Sequence, residues 1–235
     1  MTSSRSISKI PTANHSNDPT SMMAPGQCHP GDPRPILARA MGTAGEAIAA
    51  VRPDQMTMFT PCDEFDVRRL IGHLVMALER VAVVGRNGNP FAVGDDLEPL
   101  ADDAWADGWR ARSVEALRAW EDDAALVRPT PLPWAPASGA QALGTYIAEL
   151  SVHTWDLATA TGQAPKWDDE VLTAGLAAMK AALPATGRPE MFAAMRAEMG
   201  MPDGAMPDPY GPAVVVTEDA SLIDQLVAYN GRTPR

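Results

Sequence analysis

Three side chains in this sequence are of the types that carry metal chemistry and stand where they could act together: His73, Glu149 and His153. Glu149 and His153 are four residues apart. On a helix that separation is about 40° of rotation, so the carboxylate and the imidazole project from one face and can hold one ion jointly. His73 stands on a different predicted helix. All three fall on the flanks of their helices' apolar stripes, where facing helices converge at an edge. Two imidazoles and one carboxylate, with coordination positions left open, form the ligand set of a catalytic divalent-metal site. The ordinary reading is equally physical. An i,i+4 Glu–His pair is commonly a solvated surface pair worth about 0.2–0.5 kcal/mol, and a single His on an apolar helix is commonly packed or hydrogen-bonded. Spacing alone leaves both open. It does set aside the HExxH zinc proteases and the di-iron bundles, which need Glu-x-x-His on two helices.

Two neighbours extend the list. Asp156 follows His153 by three residues and serves either as an acceptor that orients the imidazole or as a solvated or capping acid. Cys62 stands near a predicted helix start, where a thiol pKa falls; the alternative is a buried structural thiol. Met191, Met195, Met199, Met201 and Met206 read as adaptable apolar packing, with a thioether copper site as the remote alternative. No GxxxxGK[ST], GxGxxG or GxSxG pattern occurs, so no phosphate cradle or nucleophile elbow is written here.

Composition narrows the class. The formal net charge is −11. Residues 1–35 carry three basic groups (Arg5, Lys9, Arg34) against Asp18 and Asp32, so residues 36–235 carry −12. A domain this acidic repels phosphate backbones, and nucleic acid is not an expected partner. No apolar run of membrane-spanning length exists. Cys28 and Cys62, the two cysteines, make no disulfide framework, and the opening residues lack the apolar core of a secretory signal. A cytoplasmic location is expected.

The elements that must position these residues follow from periodicity. Residues 1–35 hold six of the 22 prolines and no apolar period, and are expected to be a disordered tail. From Ile36 onward the spacing predicts helices over 36–51, 66–84, 101–122 and 139–161. Asp66 is the expected N-cap of the second, and Gly162 the expected stop of the fourth. Residues 123–138, with four prolines, read as a long connection. Shorter helices are expected near 168–183, 188–199 and 219–229, and 212–216 is a short strand or an extended segment. The expected architecture is all-α: an antiparallel four-helix bundle over 36–235 with additional short C-terminal helices.

Three segments then resemble a known family. Thr60-Pro61-Cys62, followed by Phe65-Asp66-Val67, Leu70 and His73, is similar to the second-helix signature of the mycothiol-dependent maleylpyruvate isomerase N-terminal family, a branch of the DinB-like superfamily of metal-binding four-helix bundles. The run from Ala148 to Ala158, continuing through Thr159-Ala160-Thr161-Gly162-Gln163, resembles its other hallmark. Tyr210-Gly211-Pro212, Asp219-Ala220 and Gly231-Arg232-Thr233-Pro234 resemble the closing segment of a shorter, actinobacterial-type group.

The resemblance implies a DinB-like fold and a divalent metal, zinc in the isomerase, held by His73, Glu149 and His153. It implies mycothiol as a thiol cosubstrate and a small electrophile as substrate of a transferase or isomerase. Phe65 stands where the family usually has Trp. The isomerase's C-terminal domain is not recognisable here, so the metal site carries over and the isomerase reaction does not. A non-catalytic metal-binding or sensing bundle is the alternative, and a bundle that kept the fold without the metal is a third reading. A non-haem iron oxygenase shares the donor set but not the resemblance. Substrate and oligomeric state are not written in the sequence.

Overall fold

The architecture was read from a computed structural model, which describes residues 31–234 apart from 64, 95–100, 102, 131–136 and 203–207. The expected tail falls outside the described residues over 1–30. Among the described residues the regular structure is helical: α1 (Arg34–Ala49), α2 (Val67–Gly85), α3 (Trp105–Arg118), α4 (Asp123–Val127), α5 (Gly139–Thr161), α6 (Asp169–Ala182), α7 (Arg188–Glu198) and α8 (Leu222–Tyr229). None of these helices is long and apolar enough to cross a membrane.

Four of them form the bundle. α5 lies against α1 and α2, and α3 lies against the same two from the opposite side. The stripe expected on α2 is what faces inward: Val67, Leu70, Ile71, Leu74, Leu78, Val81 and Ala82 are all buried. Asp66 caps α2 by accepting from Arg69 N–H at 2.8 Å. Trp109 and Trp120 pack their rings in the core and donate their indole N–H groups to the carbonyls of Met41 and Val81. Pairing those N–H groups removes the cost of burying them.

α5 is the centre of the molecule. It is sealed by a reciprocal cap: Ser138 Oγ accepts from Gln141 N–H while the Gln141 side chain accepts from Ser138 N–H. It ends where Gly162 turns left-handed at φ 71°, a conformation that costs glycine nothing. One face carries Leu143, Ile147, Leu150 and Leu157 into the bundle core. The other carries Ala148, Val152 and Trp155 into a second apolar cluster with Leu172, Leu176, Met179, Phe192, Leu226 and Val227 from α6, α7 and α8. α5 is therefore covered on two sides, which is why its sequence shows a broad apolar surface rather than one stripe. Met191 and Met195 pack against this second cluster as expected; Met199 is exposed.

The chain departs from the sequence expectations in the middle and at the end. The third helix runs from Trp105 to Arg118 rather than to residue 122, and the stretch read as a plain connection contains α4. Asp122 starts this short helix by accepting from Ala124 N–H. A cap at the junction is a stronger local signal than the prolines that follow. Residues 212–216 form no strand among the described residues. They are held by single bonds, Ala213 N–H to Ala185 O and Val214 N–H to Ala228 O. Arg188, fully buried, fastens the same segment by donating to Pro184 O at 2.6 Å and Gly211 O at 2.7 Å, with its guanidinium over the Tyr229 ring.

Gly139 opens α5 against α4, where an added Cβ would meet Ala125 O at 1.9 Å and the Trp120 ring at 2.9 Å. Gly139→Ala is expected to lower stability by about 1–3 kcal/mol through overpacking. In urea unfolding, the midpoint should fall with the slope unchanged.

Candidate metal centre

His73 projects from α2, and Glu149 and His153 from α5, into one partly shielded space between the two helices. The structure brings all three together: one ligand atom from each lies within 4.8 Å of the others. His73 Nε2 is 3.2 Å from Glu149 Oε1, and the two imidazole rings meet edge to face with centroids 4.6 Å apart. The side chains are 18%, 20% and 12% exposed for His73, Glu149 and His153, so solvent reaches them only at an edge. Phe65 packs against His73, ring centroids 5.0 Å apart.

The contact between His73 and Glu149 has the distance of an ion pair without the direction of a hydrogen bond, and the buried Nε2 is left without a hydrogen-bond partner. A buried ring nitrogen beside a carboxylate and not bonded to it is expensive in a closed protein. It is what a shared cation satisfies. Ligand atoms about 2.0–2.2 Å from one tetrahedral ion stand roughly 3.3 Å from one another. The residues present therefore fit a divalent ion.

His153 is oriented from behind. Its Nδ1 lies 3.0 Å from Asp156 Oδ2, and Asp156 is fully buried. Burial pushes the Asp156 carboxyl up, but the bond from His153 and the Arg232 guanidinium together outweigh it and hold the group below its ordinary range. An ionised carboxylate only accepts, so Nδ1 carries the proton and Nε2 keeps a free lone pair. Burial above all holds the His153 imidazole below its ordinary value, against the pull of Asp156; the neutral ring is the form that ligates metals. For Glu149, burial acts upward and is outweighed by the neighbouring His73, so its carboxyl is also held low.

Of the two roles left open for Asp156, the structure shows the acceptor that orients the imidazole. Sequence reasoning assigned no role to its second partner. Arg232 donates to Asp156 Oδ2 from Nη2 at 2.9 Å and to Oδ1 from Nε at 3.3 Å. The visible signal was its place in the closing segment; the pairing spans 76 residues, which no local pattern reports. Gly231, at φ 84°, lies so near Gly211 that an added Cβ would meet the Gly211 backbone at 3.1–3.3 Å. Tyr146 and Tyr210 were likewise unassigned as site residues. Burial first, and then the Glu149 charge, push both phenols up, so both hydroxyls stay protonated beside the site.

Cys62 is neither at a helix terminus nor fully buried. It is half-buried in the loop ahead of α2, and its sulfur lies within 4.8 Å of the ligand atoms of His153 and Asp156. Thr60 shapes this loop. Its hydroxyl accepts from Cys62 N–H at 3.2 Å and lies 2.8 Å from Phe65 O and 3.0 Å from Cys62 O.

The Mycothiol maleylpyruvate isomerase N-terminal domain family matches residues 37–158, just over half of the sequence. The chain belongs to that family. The match contains α1 to α5 but for the first helical turn and the last, and with them Cys62, His73, Glu149, His153 and Asp156. The bundle is thus the family's DinB-like, all-α fold, while Arg188, Tyr210 and Arg232 lie beyond the matched region. Two uncharacterized proteins of Mycobacterium tuberculosis, one from strain CDC 1551 / Oshkosh and one from strain ATCC 25618 / H37Rv, are each 28% identical to this chain over 204 residues, covering 87% of it and 100% of themselves. No solved structure matches the chain significantly.

Arg232→Met would leave the buried Asp156 carboxylate with His153 alone. It is expected to destabilise the metal-free protein by about 3 kcal/mol. The double variant Asp156→Asn/Arg232→Met should lose clearly less than the sum of the two single losses, because the residues act as one unit. Chemical unfolding of the four proteins checks both statements.

Proposed function

We propose that this protein binds one divalent metal ion, zinc by the chemistry of the donor set, through His73, Glu149 and His153, and uses it with a small thiol, mycothiol, as a transferase or isomerase acting on a small electrophile. The observation that carries the reading is the orphaned, buried His73 Nε2 beside Glu149, opposite an imidazole that Asp156 orients and burial keeps neutral. The family membership supports the thiol, and it supports a cytoplasmic setting where such a thiol is kept reduced.

A bound divalent ion supplies a Lewis acid that lowers the pKa of a thiol reaching it. The chain's own groups do the rest. Asp156 fixes the His153 tautomer and is itself fixed by Arg232, so the lone pair is pointed before any ligand arrives. Phe65 packs on the His73 ring and limits its rotation. The Glu149 carboxylate would offset part of a bound divalent ion's charge. Tyr146 and Tyr210 offer neutral hydroxyl donors beside Glu149 for negative charge that builds on a substrate oxygen. Partial burial keeps bulk water from the sulfur nucleophile.

Elemental analysis of protein purified without chelator or metal-binding tag should find about one divalent ion per chain. His73→Ala, Glu149→Ala and His153→Ala should each remove it, and Asp156→Asn should weaken zinc binding by about 10–100-fold. Mycothiol with a panel of small electrophiles should then give saturable conjugation or isomerisation that requires His73. Metal without turnover would assign the protein to binding or sensing. A folded wild-type chain that refuses added zinc would overturn the reading.

A further inference from the structure

His153 belongs to two groups of ligand-type atoms. The first is the triad with His73 and Glu149. The second joins Cys62, His153 and Asp156, whose sulfur, ring nitrogen and carboxylate oxygen also lie within 4.8 Å of one another. The sets differ in chemistry. The first offers nitrogen and oxygen. The second adds a sulfur, the ligand that soft ions such as Cd2+ select over harder donors. It is also built into place: the Thr60 hydroxyl bonds on both sides of Cys62 and anchors the backbone that carries the sulfur. Asp156 is fully buried, while Cys62 and His153 are partly open, so an ion would reach the set past the thiol.

We propose that Cys62, His153 and Asp156 form a second, thiophilic metal site that competes with the triad for His153. A neutral imidazole has one lone pair to give, so the ring serves one ion at a time. Arg232 is the cation that now holds Asp156, 2.9 Å from Oδ2, and an ion entering here displaces it from that oxygen. A hard ion gains little from that exchange, because it trades one cation for another on the carboxylate. A thiophilic ion gains a metal–sulfur bond. The Cys62 thiol releases its proton to solvent on binding, and His153 changes tautomer, its proton leaving Nδ1 for solvent as Nε2 takes one up, so that Nδ1 gives up its bond to Asp156 and offers its lone pair to the ion.

The test is a Cd2+ titration followed by ultraviolet sulfur-to-metal charge-transfer absorption, in a Cys28→Ser background so that Cys62 is the one thiol present. The expected result is a saturable band that His73→Ala retains and that both Cys62→Ser and Cys62→Ala abolish. Far-ultraviolet circular dichroism checks that each variant is folded. Zinc added first should suppress the band in the His73-containing protein and not in His73→Ala. Absence of the band, or its survival in the Cys62 variants, would overturn the site. Loss of the band in His73→Ala would show the sulfur serving the triad instead, which also overturns it. A band unaffected by zinc in a protein that demonstrably binds zinc would overturn the competition for His153. Failure of the triad reading is separate, since it shows as no zinc binding at all.

Discussion

The carboxylate of Asp156 is the point on which the site depends. It has no exposure to solvent and is ionised, so it must be paired from within the protein. Its partners are far apart in sequence: His153 one turn earlier on α5, and Arg232 just past α8. One buried charge therefore ties the closing segment to the helix that carries two of the three candidate ligands. It also decides which nitrogen of His153 bears a proton, and so which one is free to ligate.

The fold supplies the conditions for that arrangement. α5 is covered by the bundle on one side and by α6 to α8 on the other, so its polar residues are placed in a low-dielectric setting where each contact counts for more. The C-terminal layer is more than insulation. Through Arg188 to Gly211, Gly211 against Gly231, and Arg232 to Asp156, it forms a continuous mechanical connection to His153. The family match ends at residue 158. What lies beyond it completes the support of a site whose candidate ligands lie within it.

The sequence was most informative where the physics is local. Periodicity located α2 and α5, and the Asp66 cap and the Gly162 stop marked two of their boundaries, because these depend on residues a turn apart. The placing of Glu149 and His153 on one face followed from the 3.6-residue repeat alone. Long-range contacts were not legible. Nothing in the spacing announced that Arg232 would find Asp156, that Cys62 would come to lie beside His153, or that Phe65 would stack on His73. α4 was missed because the prolines after it dominated the composition, although Asp122 was in place to cap it. The second face of α5 was hidden by its alanines, whose burial depends on what packs against them.

The central claim is that His73, Glu149 and His153 share one ion. Anomalous diffraction at the zinc edge, from a crystal of the zinc-loaded protein, tests it directly. The account predicts a single peak about 2.0–2.2 Å from one nitrogen of His73, one nitrogen of His153 and a carboxylate oxygen of Glu149, with Asp156 still on Nδ1 of His153. Full zinc loading with the peak elsewhere, or with His73 turned away from it, would contradict the account.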